Sequence, residues 1–593
     1  MKYSLADEQI VLRLNFLTKE EELFASTKFG KFTKIKDWDD KGQLVIWEGV
    51  IEDSSLKQSY KIQIHYGWLY PYRRPAIYPI EPKIINQRHQ LRDGSLCILP
   101  FAPDYWRVGL TCEDVLKRVV KWYQGYESNT LGDEFAPPEI EVYFPNSYHN
   151  KDLEVLAIDT LLLPGEKIYG SCLLYPTKPN NFAFLTTLDD LQKTEEKSAE
   201  VIKMKKLILP DENLKSGETL TGLWFRLKGE PNLPVPLNST ALAKILFENE
   251  FEQHLIFRLC ERKPEIVALL YPTNVPNEFH WLLFKTTFSY PLGRGLNLKR
   301  YQFKFEQLNE KHPISLYPVN HINKETIFRR VSGYEVENLL TKKCLLLGCG
   351  SIGSTVGKEL IKSGLGSITL IDKEVLKTGN LCRHELGINY LGQPKSESLK
   401  LELLRKNPFA EIEALTYDPL TKLNDFSQQV EKADIVVSCF ANDSTEAFVN
   451  TICRRLRKPV IYCRSYMEGR LGEILLAKGE ATSTCFQCAA DFLGDSSNKI
   501  PRPPLLTYEE EVGFDGDCGT AFLPASSVDL GIISFHCVRL TLNFLQNKLE
   551  DNNYWLIRGR ELDETEYKAF VGEIREPFKV HSYVIPPKEK CNL

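Results

Sequence analysis

Apolar positions recur at helical spacing in ADEQIVLRLNFLTKEEELFA, residues 6–25, and predict an opening amphipathic helix. Residues 44–85 alternate apolar and polar positions, broken by polar and proline-rich turns, which predicts antiparallel strands. TCEDVLKRVVKWYQGY, residues 111–126, returns to helical spacing behind Thr111, a good N-cap residue. The acidic, proline-containing stretch 127–150 then reads as a linker. Residues of about 150–330 are strand-rich and carry no strong chemical motif. They contain an internal echo: LLYPTKPNNF (Leu173–Phe182) recurs as LLYPTNVPNEF (Leu269–Phe279). A duplicated strand–turn–strand unit or two unrelated hairpins both fit that echo. Beyond residue 330, KCLLLG, SITLID, ADIVVSCF and PVIYCRS are short apolar runs between helical stretches, the pattern of a doubly wound parallel sheet. CVRLTLNFLQNKL reads as a late helix. The expected fold is therefore multi-domain α/β: an N-terminal α+β domain over 1–125, a linker over 126–150, a strand-rich middle domain over 151–328 and a Rossmann-like domain over 329–593.

Between the first two runs of the last region lies Gly348-Cys349-Gly350-Ser351-Ile352-Gly353, and the second run ends at Asp372. A glycine turn opening a helix offers backbone N–H groups to phosphate, and an acid at the next strand end suits a ribose hydroxyl. On that motif alone a dinucleotide oxidoreductase and an ATP-using enzyme are alike. Asn380, Arg383 and Lys395 follow within 23 residues of Asp372, and cations there suit a polyphosphate better than a neutral nicotinamide.

Composition changes this little. The chain has 593 residues, of which 43% are hydrophobic and 26% charged, and a formal charge of -5. Neither a nucleic-acid partner nor a membrane span is expected. The charged start of the chain lacks a signal-peptide core, and fifteen cysteines in that setting suggest reduced thiols in a cytoplasm.

The ordered set GxGxxG, Asp372, Asn380-x-x-Arg383 and Gly-x-Pro-Lys395 resembles the ThiF/MoeB/ubiquitin-activating superfamily, which adenylates protein C-terminal carboxylates. The resemblance implies ATP and magnesium as cofactors. Gly348, Gly350 and Gly353 would cradle phosphates, Asp372 would hold the ribose, and Asn380 and Arg383 would lie near the phosphates. Lys395 would face the reacting phosphoryl oxygens. The family's magnesium aspartate aligns with Ala441, so the role passes to Asp443, two residues on. Arg329 or Arg330 would supply an arginine that the family brings from ahead of the first strand. Cys518, in the loop GFDGDCGT, would accept the acyl group as a thioester. Cys485 and Cys488 form a CxxC, but a closed zinc site needs four ligands and no second CxxC exists, so buried thiols are expected there.

Residues 1–125 resemble the ubiquitin-conjugating fold through Tyr78-Pro79, Gly94-Ser95-Leu96-Cys97, Trp106 and the helix near Thr111. That marks Cys97 as a second acyl carrier. His89 stands where the family has an asparagine, as a hydrogen-bond donor or base. Cys112, at a helix start, is expected to be structural. This domain order resembles the activating–conjugating fusions of bacterial CBASS antiphage operons, where the middle domain is an inactive adenylation-like partner and the chain is a homodimer. The resemblance implies ligation of a cGAS-like nucleotidyltransferase, through its free C-terminus, to an amine-bearing target. A sulfur-carrier adenylyltransferase shares the adenylation half, and a non-catalytic scaffold would leave the cysteine motifs without purpose.

Overall fold

The computed structural model describes residues 5–37, 44–84, 89–91, 93–98, 106–128, 130, 154–162, 165–177, 182–188, 219–231, 238–251, 265–272, 279–286, 314–331, 333–480, 482–495, 497–498, 500, 513–515, 520–522, 524–549, 551–559 and 578–588. Among them the chain divides into two compact units between Ile322 and Asn323. That division falls six residues ahead of the expected domain start at 329.

In the first unit, helix α1 (Leu5–Ser26) precedes an antiparallel four-stranded meander. Its strands are β1 (Gly30–Lys36), β2 (Leu44–Ile51), β3 (Tyr60–Gly67) and β4 (Ala76–Glu81). Strict alternation of buried residues along β2 and β3 gives the sheet one apolar face. Tyr60, Ile62, Ile64 and Tyr66 there pack with Phe24 and with Val115, Leu116 and Val119 of helix α2 (Cys112–Ser128). The Asp114 carboxylate accepts the Thr111 N–H at 3.1 Å and its hydroxyl at 3.2 Å, which fixes where α2 starts. Glu20, 2% exposed, ties the elements together by accepting from Tyr70 Oη at 2.6 Å and from the Cys112 N–H at 2.7 Å. Cys112 itself is fully buried and its thiol is pushed up by burial.

The same unit holds a mixed sheet of β5 (Glu154–Ile158), β6 (Tyr169–Thr177), β7 (Phe182–Leu188), β8 (Leu220–Arg226), β9 (Ile266–Pro272), β10 (Phe279–Lys285), β11 (Ser315–Tyr317) and β12 (Val319–Ile322). The order is β11-β10-β9-β8-β6-β7-β5-β12. β11 pairs with β10 and β12 pairs with β5, yet only Pro318 separates β11 from β12. One short bent segment thus borders both ends of the sheet and closes it on itself. The two sequence echoes are hairpins: Leu173–Phe182 runs from β6 into β7, and Leu269–Phe279 runs from β9 into β10. Helix α3 (Ser239–Glu248), capped by Asn238, belongs to this part of the chain.

The second unit is built on an eight-stranded sheet of order β15-β14-β13-β16-β17-β18-β21-β22. β13 (Lys343–Leu347), β14 (Ser367–Ile371), β15 (Glu411–Leu415), β16 (Ile435–Ser438) and β17 (Val460–Tyr466) are parallel. β18 (Leu471–Ala477), β21 (Tyr554–Arg558) and β22 (Val580–Tyr583) extend it antiparallel, while β19 (Gly513–Asp515) and β20 (Thr520–Phe522) pair separately. Among the described residues its helices of eight residues or more are α4 (Ser351–Lys362), α5 (Lys395–Lys406), α6 (Leu423–Lys432), α7 (Asp443–Arg455), α8 (Phe486–Gly494) and α9 (Ser527–Leu545). β13 and β16 are buried along nearly their whole length, which is why their sequences read as unbroken apolar runs. α9 is long and apolar enough to cross a membrane by length and composition, the one such helix among the described residues. Its Ile533, Cys537, Val538 and Leu542 are buried in the sheet's core with Ile461, Cys463 and Ile474.

Candidate functional site

The chain leaves β13, builds β14 and β15 on one side, then returns to build β16 and β17 on the other. The crevice beyond the carboxyl ends of β13 and β16 is the switch point of such a sheet. Gly348 follows β13 at φ +83, a conformation that costs an L-residue strain. A Cβ on Gly353 would stand 1.8 Å from the Gly348 carbonyl oxygen, so the helix start and the loop can approach only through glycine. Gly350 is the N-cap of α4, and a Cβ there would meet open space. The first-turn N–H groups of α4, which have no partner within the helix, are thus presented on the open side of the loop.

Cys349, fully buried, is held at both its backbone polar groups. Its N–H donates to Asp372 Oδ2 at 2.7 Å, and its carbonyl accepts from His384 Nε2 at 2.6 Å. Asp372 directly follows β14, is 5% exposed, and accepts the Glu374 N–H on Oδ1 at 2.7 Å. Burial raises its carboxyl pKa, opposed by those two N–H groups and the Lys395 charge. Lys395 opens α5 and is 4% exposed, with Nζ 2.6 Å from Glu374 Oε2. Backbone bonds from Leu376 to Gln393 and from Lys395 to Glu374, both 2.9 Å, pin the start of α5 beside the strand that leads into Asp372. Asn380 accepts the Lys377 N–H on Oδ1 at 3.0 Å and offers its carbonyl to the Arg383 N–H at 3.0 Å. Gly348, Gly350, Gly353, Asp372, Asn380, Arg383 and Lys395 therefore sit on one set of interlocked turns.

Asp443 is the first residue of α7, behind the N-cap Asn442. Its side chain is 76% exposed and its Oδ1 lies 2.6 Å from Arg464 Nη1. Ala441 precedes it at φ +51. Arg464 also grips Glu446, which is fully buried and accepts from Ser438 Oγ at 2.9 Å. Burial pushes the Glu446 carboxyl up to about 7. The sequence reading missed His384, Glu446 and Arg464. Arg329 and Arg330 are exposed, Arg329 closing a short helix, Lys324–Phe328.

Cys485 is the N-cap of α8 and its Sγ lies 3.5 Å from that of Cys488; both are 3% exposed. Among the described residues no group of three or more His, Cys, Asp or Glu could hold a metal ion. Cys518 and Cys591 lie outside the described residues.

In the first unit, Cys97 is half-buried and follows Leu96, which is fully buried and bonds through its N–H to the Ile77 carbonyl at 2.7 Å. Asp93 Oδ1 accepts from the Ser95 N–H and hydroxyl, and Gln90 Nε2 donates to the Gly94 carbonyl, so the turn ahead of Cys97 is braced from both sides. His89 has φ +55, and its carbonyl accepts the Cys97 N–H at 2.7 Å and Trp122 Nε1–H at 2.9 Å. Its backbone thus links Cys97 to α2.

Comparison with known proteins adds a family to this geometry. The ThiF family profile matches residues 322–562. Over 240 residues the chain is 26% identical to uncharacterized protein y4oA of Sinorhizobium fredii, covering 38% of this chain and 40% of that one. It is 25% identical over 199 residues to the ATP-dependent ubiquitin transferase-like protein Cap2 of Enterobacter hormaechei, covering 31% and 32%. It is 27% identical over 180 residues to the molybdopterin-synthase adenylyltransferase of Escherichia coli, covering 30% and 69%. The structure of E. coli MccB with ATP aligns at a TM-score of 0.32 and 20% identity, over 43% of this chain and 68% of that one. The chain spans less than half the length of y4oA and of Cap2. Residues 322–562 form a ThiF domain.

Proposed function

We propose that the second unit uses ATP to adenylate the C-terminal carboxylate of a protein, and that Cys518 and Cys97 then relay the acyl group to an amine. The observation that carries this reading is the convergence of the Gly348–Gly353 loop, Asp372 and Lys395 at the switch point. These residues fit ATP: an open glycine cradle at a helix N-terminus for phosphate, a buried carboxylate for the ribose, and a buried cation beside it. Arg383 and Asn380 would meet the phosphates. Asp443 would hold magnesium, which offsets phosphate charge.

A carboxylate oxygen attacks the α-phosphorus, a P–O bond forms and pyrophosphate leaves. The Cys518 thiolate attacks the acyl carbon, a C–S bond forms and AMP departs. The Cys97 thiolate takes the acyl group by thioester exchange, and an amine attacks it, forming the amide and returning the thiol. The helix–meander–helix fold around Cys97 supports a conjugating module at 1–125, the relative named as an ATP-dependent ubiquitin transferase-like protein supports ATP-driven acyl transfer, and the resemblance of the domain order to the CBASS fusions supports a place in antiphage defence. In that setting the donor is a cGAS-like nucleotidyltransferase, the chain is a cytoplasmic homodimer, and residues 151–328 are a scaffold without catalysis.

ATP–pyrophosphate exchange that requires a peptide with a free C-terminus tests the adenylation step; absence of exchange with a panel of glycine-ended peptides and candidate donor proteins would overturn it. A second reading, a sulfur-carrier adenylyltransferase, draws on the 69% coverage of the E. coli molybdopterin-synthase enzyme. It predicts that Cys97→Ala leaves the product unchanged.

A further inference from the structure

His384 lies on the turn that follows Asn380 and Arg383, and its ring bridges two backbone segments. Nδ1 accepts the Leu386 N–H at 3.1 Å, so that nitrogen carries no proton. The proton therefore sits on Nε2, which donates to the Cys349 carbonyl at 2.6 Å. Burial holds the ring neutral, pushing its pKa down to about 4. Its neighbour Glu385 fastens the same turn to α4: Oε1 accepts from Thr355 Oγ1 at 3.0 Å, and Oε2 pairs with Lys358 Nζ at 2.6 Å. The turn is thus joined to the glycine loop at Cys349 and to the helix that the loop opens.

We infer that His384 is a positioning residue for the nucleotide, setting the orientation of the Gly348–Gly353 loop and the position of the Arg383 main chain relative to it. Cys349 is the only non-glycine residue between Gly348 and Gly350, two residues with few steric limits, so the loop's peptide planes are free to rotate unless held. Asp372 holds one side of Cys349 through its N–H, and His384 holds the other through its carbonyl. Those two anchors leave the next N–H groups, at the start of α4, aimed outward at the phosphate position. Because Arg383 immediately precedes His384, the same bond fixes the distance from its main chain to the loop. This inference rests on the ATP reading above.

The test compares the full-length protein with His384→Leu, His384→Gln and His384→Asn, using binding of a non-hydrolysable ATP analogue by calorimetry and the KM and kcat of pyrophosphate exchange. Glutamine can donate to the Cys349 carbonyl and accept from Leu386 at similar reach; leucine can do neither, and asparagine falls short. Expected is an analogue Kd and ATP KM raised about tenfold in His384→Leu and His384→Asn, with kcat changed less, and values within about threefold of wild type in His384→Gln. Wild-type affinity in His384→Asn, or equal losses in His384→Gln and His384→Leu, overturns the positioning role. If His384→Leu does not fold, the glutamine and asparagine pair still decides. Failure of the wild-type protein to bind the analogue would instead overturn the ATP reading.

Discussion

A Cβ on Gly353 would stand 1.8 Å from the carbonyl oxygen of Gly348, far inside contact distance. The obstruction is main chain, so no rotamer change relieves it, and the loop or the first turn of α4 must shift. Gly353→Ala should therefore misplace the helix N-terminus rather than merely crowd it. We expect a loss of ATP affinity on the order of 100-fold by calorimetry, with a melting temperature lowered by only a few degrees. Gly350→Ala, where a Cβ meets open space, should fold normally with an unchanged melting temperature, and so controls for stability alone.

Lys395 is 4% exposed while its partner Glu374 keeps a side chain 62% exposed. Removing the lysine therefore strands no buried carboxylate at Glu374, whose charge returns to water. It does withdraw a neighbouring positive charge from Asp372, which is buried. Lys395→Met, of similar length, should cut pyrophosphate exchange at least about 100-fold through lost phosphoryl stabilisation. Its thermal midpoint should stay within about 5 °C of wild type. A fall in exchange matched by global unfolding on a circular dichroism scan would count against a phosphate role.

His384 gives a stability signature of its own. Its folded pKa, about 4, lies below the usual 6.5, because burial disfavours the charged ring. Above pH 6.5 the ring is neutral in both states, so its contribution to stability is fully present. As pH falls from 6.5 toward 4 the unfolded chain binds a proton that the folded chain refuses, and stability is lost. His384→Gln has no such proton, so the stability difference between variant and wild type should grow across that window by up to about 3 kcal/mol. Urea unfolding at pH 7.5, 6 and 5 measures it, and a flat difference would contradict a buried neutral ring.

Local spacing made some of this visible in the sequence. β13, β14, β16 and β17 are read from apolar runs because most of their positions are buried. The glycine loop and Asp372 follow from the spacing of one strand–turn–helix–strand unit. β1 (GKFTKIK) and β15 (EIEAL) give no such run because they are edge strands: Phe32 alone is buried in β1, and no residue is in β15. Closure of the middle sheet by Ser315–Ile322 depends on pairing to Val155 and to Leu283, partners far apart in sequence. His384 meets Cys349 across 35 positions, and Arg464 meets Glu446 across 18. No periodicity encodes such pairs, although a buried-looking histidine beside the Asn380–Arg383 motif was an available signal.

Cys97 and Cys518 carry the last prediction, which concerns order. Cys97 is half-buried on a turn that Asp93 and Gln90 brace, and its N–H is tied to the His89 carbonyl. A thioester formed first on Cys518 and then passed to Cys97 requires that the two substitutions be unequal. Cys518→Ala should abolish both thioesters while leaving pyrophosphate exchange intact, because adenylation precedes any thiol attack. Cys97→Ala should leave a single thioester on Cys518 and remove the amide product. A non-reducing gel of each variant charged with ATP and a labelled donor reads the outcome, with loss of the band on adding thiol as the check. Normal charging of Cys97 in Cys518→Ala would sink the order, since the acyl group would then have reached Cys97 directly from the adenylate.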